Sequence, residues 1–567
     1  MNKIKICIVL LLSIFVSVNA QNNLGKDYFN VNEYELAKKY FLQNLSANPA
    51  EANYYLGEIA FAEENLEEAE NYYNQGVQTN MGTYCKIGLA KILYNKGQKS
   101  EATTELLTIQ KKAQKDQNVD ILLALGYAYL DNNQTHDVQA ILRELQKIDK
   151  NNPKMYVLEG DLLKSQNNYG QAGAKYDMAI YFDQKYLPVY IRIAEVYEKI
   201  NSQVAIGKLK ELLELNPNYT IAYRYLGRIY TSTGHYQSAI EAWKTYFAAG
   251  IYTLDDIARY ASALYFNKEY DEATVMIKKG LAIVPDHFVL NRLLMYIAAN
   301  TKNVEAGLQY ATKFFSLKNQ KNATFLTSDY TQYAVILKEA KMYDEAIEQY
   351  KQALLLDGTA IEHYKEMSDL AAKKKQNEMA AHYYSIYIEK AGSKVEAYDY
   401  LLMGRSYYSA ASTRTAADTA TILNRYKDME FISTISENEL QKDSLLQSES
   451  LFITKAVKYY LTQGDNAFNK VIELAPESYQ GYLWKARINS LMDPDSENGL
   501  AKPHYEKLLE MISEKEDLKT TIIEAYQYLG FYYYVKNDKT NSILYWNKIL
   551  ELDPEHATAK EAVKQIK

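Results

Sequence analysis

One pattern of residues recurs along this chain about every 34 residues, and such a period constrains the fold more than any other feature. Each copy has Leu-Gly, an aromatic residue, a small residue and a second aromatic residue at fixed offsets. Three copies are Leu24, Gly25, Tyr28, Ala37 and Phe41; Leu226, Gly227, Tyr230, Ala239 and Trp243; and Leu529, Gly530, Tyr533, Ser542 and Trp546. One such unit cannot bury its own apolar face, so we predict an array of stacked units.

The small-residue position measures the period best. It is assigned to Ala37, Ala69, Ala102, Val138, Ala172, Ala205, Ala239, Ala273, Ala306, Ala346 and Ala380. This spacing and these residues resemble the tetratricopeptide-repeat (TPR) family. The resemblance implies an all-α TPR α-solenoid, a right-handed superhelix of about fourteen helix-turn-helix repeats.

The residues support a helical array without the family. Tyr223, Leu226 and Tyr230 have the three- and four-residue spacing of one helix face. Gly227 and Ala239 are small where two antiparallel helices must approach closely. The chain has 54 tyrosines but 15 phenylalanines. We predict that these tyrosines are half-buried with the hydroxyl at the rim, and a ligand-binding aromatic box is the alternative.

The chain divides into five segments. Residues 1–20 resemble a signal peptide, with Lys3 and Lys5 before a short apolar run and small residues at the end. A retained signal anchor is the alternative. TPR repeats follow over 21–409, then a polar insertion over 410–450 that is mobile or partly helical, then C-terminal repeats over 451–555. Residues 556–567 are predicted to form a capping helix.

The insertion contains two short motifs, Asp418-Thr419-Ala420 and Asp443-Ser444-Leu445. They resemble O-glycosylation sites of exported Bacteroidota proteins, so Thr419 and Ser444 are candidate glycosylation sites. The segment from Leu483 to Pro503 also resembles the C-terminal part of Bacteroidota TPR proteins. A surface loop without function is the alternative for the insertion.

Composition argues against several classes of function. A net charge of −7 gives no reason to expect a nucleic-acid partner. The seven histidines and two cysteines form no metal-binding or catalytic motif, so we expect no enzyme, no cofactor and no metal. Cys85 is expected to be a small core residue rather than a reactive thiol. Asp493 begins an acidic turn whose spacing does not match an EF-hand, so we expect a capped turn rather than a calcium site.

Side chains on the first helix of each repeat line the groove of TPR proteins, so the resemblance places candidate partner-binding residues there. Arginines suit carboxylate ligands, and an apolar patch near the C-terminus adds contact area. The candidates are Arg224, Arg228, Arg405, Arg487, Phe531 and Tyr534. Pairing of these arginines with Glu195, Asp369 or other acids on neighbouring helices is the alternative. Reversing the charge of both residues, with Arg224→Glu and Arg228→Glu, should weaken partner binding without unfolding the array.

These observations favour a non-catalytic scaffold that binds partner proteins or peptides in the TPR groove. The signal-like segment predicts an exported, periplasmic protein without an integral membrane segment after cleavage. A partner could hold it at the outer membrane, as part of an envelope assembly, uptake or secretion complex. The alternative function is binding of peptidoglycan or another glycan, which exposed groove aromatics would favour.

Overall fold

The computed structural model describes residues 24–321, 323–412 and 445–566, with the backbone alone for 445–455. The described residues form helices and turns with no strand, and no helix among them is long and apolar enough to cross a membrane. Within these ranges the helices form fourteen successive pairs followed by one last helix. The all-α fold and the number of repeats are therefore confirmed.

The chain divides into two compact units, which meet in sequence at Ile297 and Ala298. The helices of the N-terminal unit are α1 (24–30), α2 (Tyr34–Asn44), α3 (Pro49–Ala62), α4 (Leu66–Gly76), α5 (Gly82–Asn95), α6 (Lys99–Lys115), α7 (Val119–Asp131), α8 (Thr135–Ile148), α9 (Pro153–Ser165), α10 (Tyr169–Phe182), α11 (Pro188–Glu198), α12 (Ser202–Leu215), α13 (Thr220–Ser232), α14 (Tyr236–Ala248), α15 (Leu254–Phe266) and α16 (Tyr270–Ile283). Helix α17 (Phe288–Asn300) runs across the division.

The C-terminal unit continues with the same alternation of first and second helices. Its helices are α18 (Val304–Ser316), α19 (Thr327–Glu339), α20 (Tyr343–Leu356), α21 (Glu362–Lys373), α22 (Asn377–Ala391), α23 (Ala397–Ser412), α24 (Leu445–Leu474), α25 (Tyr479–Met492), α26 (Lys502–Ile512), α27 (Lys519–Val535), α28 (Lys539–Leu552) and α29 (Ala557–Ile566). Short 3-10 helices occupy Leu317–Asn319, Gly392–Lys394 and Glu516–Leu518.

A left-handed residue recurs in the turn between the two helices of a pair. Asn32, Glu64, Asn133, Asn167, Lys268, Lys302, Lys341, Lys375 and Asn537 have φ between 55° and 64°, while Gly97 and Gly234 have φ of 85° and 78°. The next residue donates its backbone N–H back into the first helix, as from Met342 to the Leu337 carbonyl at 2.9 Å. This Schellman-type hydrogen bond ends the first helix and turns the chain into the second.

The small-residue position lies five residues after this left-handed residue, where the helices of a pair touch. A Cβ added to Gly227 would lie 2.7 Å from the Trp243 ring, and one on Gly530 would lie 2.8 Å from Trp546. The predicted close approach is confirmed. The assignment of the small-residue position to Ala306 was wrong by one residue. Gly307, in the first turn of α18, is the buried residue and faces Ile336.

Many tyrosines are core residues, and their hydroxyls bond inside the protein. The Tyr73 hydroxyl donates to Glu58 at 2.6 Å, and Tyr176 donates to Asp161 at 2.7 Å. The prediction of hydroxyls at the solvent rim was wrong for these two residues, because each meets a carboxylate on the first helix of its own pair. Cys85 is 0% exposed, and burial raises the pKa of its thiol to about 11.

Candidate functional site

The first helices of successive pairs touch one another and form an inner layer. Contacts join α3 to α5, α5 to α7, α7 to α9, α11 to α13 and α13 to α15 in the N-terminal unit, and α23 to α25 in the C-terminal unit. Side chains on the inner side of these helices are the groove positions of a solenoid. The two units have different inner surfaces.

Buried ion pairs line the inner layer of the N-terminal unit. The Lys91 ammonium is 2% exposed and lies 2.8 Å from Glu58 and 2.7 Å from Asp131. Arg192 is 8% exposed and bonds to Asp161. Burial would lower the pKa of Lys91, but the two carboxylates raise it instead, so the ammonium stays charged. Each cation thus has its acid within the chain.

Arg224 is part of this internal network. It is 7% exposed, its Nε donates to Asp256 at 2.7 Å, and it also forms an ion pair with Glu33. Burial favours the neutral form, yet the Asp256 and Glu33 carboxylates raise the pKa of Arg224 further above its ordinary value. The expectation that its charge could be reversed without unfolding the array is therefore revised, because a glutamate here would face two carboxylates.

Arg228 is also paired, in the conformation described. Its Nη2 atom bonds to Glu198 at 2.7 Å, and its guanidinium lies 4.3 Å from the centroid of the Tyr225 ring. Both arginines of α13 therefore pair with acids of neighbouring repeats, as the alternative prediction had it. The acids are Glu198, Asp256 and Glu33, whereas Glu195 binds Lys164 and Asp369 binds Lys373.

The inner layer of the C-terminal unit carries an arginine and tryptophan cluster. The guanidinium carbon of Arg405 lies 5.0 Å from the centroid of the Trp484 ring, and that of Arg487 lies 4.7 Å from it. Tyr408 meets the same ring edge-on at 5.3 Å, and Phe468 stacks at 6.2 Å. The aromatic groups hold the two guanidinium groups in place through cation–π contacts.

The two arginines of this cluster differ in their charge partners. Arg487 binds Glu524 of α27 with two parallel hydrogen bonds of 2.8 and 2.6 Å, and these bonds raise its pKa. Arg405 is exposed, and no carboxylate pairs with it among the described residues. The charge of Arg405 is therefore available to a ligand.

Exposed aromatic side chains extend the cluster along the same helices. Tyr398 is two turns before Arg405 on α23 and is 62% exposed. Phe531 is two turns after Glu524 on α27 and is 42% exposed, and Tyr534 is 52% exposed. Residues two turns apart lie on one helix face. We name Tyr398, Arg405, Trp484, Arg487, Phe531 and Tyr534 the C-terminal inner surface.

Sequence reasoning identified the arginines, Phe531 and Tyr534 of this surface but missed Trp484 and Tyr398. Trp484 lies three residues before Arg487, so its contact with that arginine follows from helix geometry. Its contact with Arg405 does not, because α24 and residues 413–444 separate the two in sequence. Thr419 and Ser444 lie outside the described residues, as do the signal-like segment and most of the 410–450 insertion.

The acidic turn after α25 is capped by its own first residue. The Asp493 carboxylate accepts backbone hydrogen bonds from Asn498 at 3.0 Å, Gly499 at 2.7 Å and Leu500 at 3.3 Å. Burial would raise the pKa of Asp493, but these donors lower it. The expected capped turn is present, and the described residues contain no group of His, Cys, Asp and Glu arranged to hold a metal ion.

Comparison with known proteins agrees with this architecture. Residues 22–82 and 330–359 each match a family model described as tetratricopeptide repeat. No curated protein gives a significant match.

Several solved structures resemble parts of the chain. The C-terminal part of a TPR repeat-containing protein from Cytophaga hutchinsonii is 25% identical, with a TM-score of 0.37, covering 54% of this chain and 99% of that one. A tetratricopeptide repeat protein from Parabacteroides merdae is 16% identical, with a TM-score of 0.31, covering 42% and 94%. PilF from Pseudomonas aeruginosa is 18% identical, with a TM-score of 0.33, covering 40% and 98%.

The family matches, the recurring residues and the fourteen described helix pairs agree with one another. The chain contains tetratricopeptide repeats, and the part that the structure describes has the α-solenoid fold.

Proposed function

We propose that this protein is a non-catalytic scaffold that binds a segment of a partner protein on the C-terminal inner surface. TPR repeats are protein-interaction modules, and both family models that match parts of the chain describe such repeats. The observation that carries the proposal is Arg405, an exposed guanidinium positioned over Trp484 without a carboxylate partner in the described residues.

The chemistry of this surface suits an acidic segment that also carries apolar side chains. A guanidinium already held against an aromatic ring loses little conformational freedom when it binds a carboxylate. Phe531 and Tyr534 offer apolar area on the neighbouring first helix. Arg487 is neutralised by Glu524, so Arg405 is the charge that a partner would meet. A side-chain carboxylate or a C-terminal carboxylate would satisfy it.

The location and the complex belong to the same proposal. Residues 1–20 have the charge and apolar pattern of a signal peptide, which supports export to the periplasm. We therefore propose a partner in the cell envelope, as part of an assembly, uptake or secretion complex that could keep the protein near the outer membrane. Bacteroidota origin and glycosylation at Thr419 and Ser444 remain part of this proposal.

Site-specific photo-crosslinking in cells tests the surface. A photoreactive amino acid replaces Tyr398 or Phe531 on the C-terminal inner surface, or Tyr181 as a control. Tyr181 is 75% exposed but lies on α10, a second helix. We expect the same discrete protein adduct from the first two positions, reduced by Arg405→Glu, and none from Tyr181. Equal crosslinking from all three positions would contradict the proposal.

Glycan binding is the second candidate, because Tyr398, Phe531 and Tyr534 expose aromatic faces of the kind that pack against sugar rings. Co-sedimentation with purified cell-wall sacculi separates the two candidates. Sedimentation that is lost on Tyr398→Ala and Phe531→Ala, without protein adducts in the crosslinking experiment, would favour the glycan.

A further inference from the structure

The first helix pair, residues 24–44, packs against helices far along the chain. Tyr28 and Val31 are each 1% exposed, and they share one apolar core with Tyr219, Ile221 and Tyr225 at the start of α13. Residues of α5 and α7 belong to a different core. The first pair therefore contacts the seventh pair directly, across the inner side of the N-terminal unit. The repeats between them in sequence do not mediate this contact.

Polar contacts fix the position of the first pair on α13. Glu33, in the turn between α1 and α2, forms an ion pair with Arg224. The Tyr225 hydroxyl lies 3.0 Å from Glu33 and 2.7 Å from Glu195, and its single proton is donated to one of them at a time. Glu33 thus competes with an acid of the sixth pair for the same donor.

The inner face keeps its own partners if the first pair leaves. Arg224 retains Asp256 at 2.7 Å, and Tyr225 retains Glu195. Breaking a buried ion pair is costly mainly because it leaves a buried charge without a partner. Release of the first pair would leave no such charge on the inner face. The stability of a solenoid also comes mainly from contacts between repeats that are adjacent in sequence. These contacts can remain when the first pair separates from α13.

Docking of the first pair carries costs that its release would remove. The Tyr219 hydroxyl is buried and has no hydrogen-bond partner in the part of the chain that the structure describes, a situation that costs about 1–3 kcal/mol. Burial at this contact also raises the pKa of Asp27 from 3.8 to about 7. The apolar burial of Tyr28 and Val31 opposes these costs, so docked and released forms are closer in free energy than a purely apolar contact would make them.

We propose that the inner face of α11, α13 and α15 is a docking surface for a partner helix, and that the first pair is its resident, displaceable occupant. The first pair shows which groups this surface binds. They are an aromatic side chain in the position of Tyr28 and a carboxylate in the position of Glu33. A partner helix that ends in a turn, with the aromatic group on the helix and the carboxylate in the turn, would bind Arg224 and Tyr225 in place of the first pair. This proposal concerns the N-terminal unit and does not depend on the C-terminal inner surface.

Hydrogen exchange of the full chain tests whether the first pair can be displaced. Glu33→Arg places like charges together at Arg224, so amides of α1 and α2 should exchange at least tenfold faster. Amides of α7 to α10 should not change. The control is Glu67→Arg, an exposed acid on α4, which should leave the first pair protected.

A labelled synthetic peptide of residues 24–44 tests the surface itself. A resident that occupies the surface lowers the apparent affinity for any competitor. The peptide should therefore bind the Glu33→Arg chain at least tenfold more tightly than the wild-type chain. A peptide that itself carries Glu33→Arg should bind more weakly than the unmodified peptide.

Three results would overturn this proposal. Unchanged exchange of α1 and α2 in Glu33→Arg would show that the contact is a fixed part of the fold. Peptide binding of equal strength to both chains, or to neither, would show that the face is no docking surface. A stable dimer of the Glu33→Arg chain by light scattering would assign the surface to a second copy instead of a partner helix.

Discussion

The Nε atom of Arg224 donates a hydrogen bond of 2.7 Å to the carboxylate of Asp256. Asp256 is 0% exposed, and it also accepts the backbone N–H of Thr253 at 2.9 Å as part of the capping box of α15. The bond therefore connects α13 to the helix end of the next repeat. A side chain that sequence reasoning assigned to the groove holds two repeats together.

Arg224→Glu should destabilise the N-terminal unit by about 3–5 kcal/mol, because it leaves buried carboxylates without a cation and adds another. Arg228→Gln should cost less than about 1 kcal/mol, because that arginine is partly exposed. Urea unfolding followed by circular dichroism measures both variants. Equal midpoints for the two variants would contradict this account.

Lys341→Gly should stabilise its repeat by about 0.5–1 kcal/mol. Lys341 has φ of 61° in the turn between α19 and α20, where glycine has no steric cost. Gly234 occupies the same turn position with φ of 78°, so Gly234→Ala should have the opposite effect. Urea midpoints of the two variants are the measurement, and shifts of the same sign would refute the role assigned to this turn.

Docking of the first pair should weaken as pH rises. The pKa of Asp27 is about 7 in the docked form and 3.8 when exposed, so the docked form binds the proton more tightly. Lys26 opposes the shift, while Tyr186 and Tyr219 face Asp27 from the start of α11 and α13. Docking is therefore favoured below about pH 4 and loses stability up to about pH 7.

Asp27→Asn removes this titration. At pH 8 the free energy of opening of α1 and α2, measured by hydrogen exchange, should be about 1–2 kcal/mol higher in the variant than in the wild type. This value is reduced because the Asp27 side chain is partly exposed. At pH 5 the difference should be smaller. The same difference at both pH values would rule out Asp27 as its source.

The repeat could be predicted from the sequence because its signals are local. Gly227 and Trp243 belong to one helix pair, and their contact follows from a fixed spacing. The error at Ala306 has a local cause as well. The left-handed residue Lys302 sets the register of that pair, and counting five residues from it gives Gly307. The period over neighbouring repeats did not distinguish Gly307 from Ala306.

Contacts between distant repeats could not be predicted in this way. Nothing in the spacing of Glu33 indicates that it reaches Arg224, because that contact depends on how tightly the N-terminal unit curves over several repeats. Arg405 and Trp484 are likewise separated by α24 and residues 413–444. Six arginine and aromatic candidates looked equivalent in sequence, whereas in the structure Arg224 is buried, Arg228 and Arg487 are half-buried in ion pairs, and Arg405, Phe531 and Tyr534 are exposed.

The most direct test of the central claim is the affinity of the crosslinked partner for Arg405→Glu, measured by titration against Arg143→Glu. Arg143 is an exposed arginine on α8, a second helix. Loss of one charge-assisted contact corresponds to roughly 10- to 100-fold, so we predict at least a tenfold loss for Arg405→Glu and less than a twofold change for Arg143→Glu. Equal affinities for the two variants would contradict the assignment of partner binding to the C-terminal inner surface.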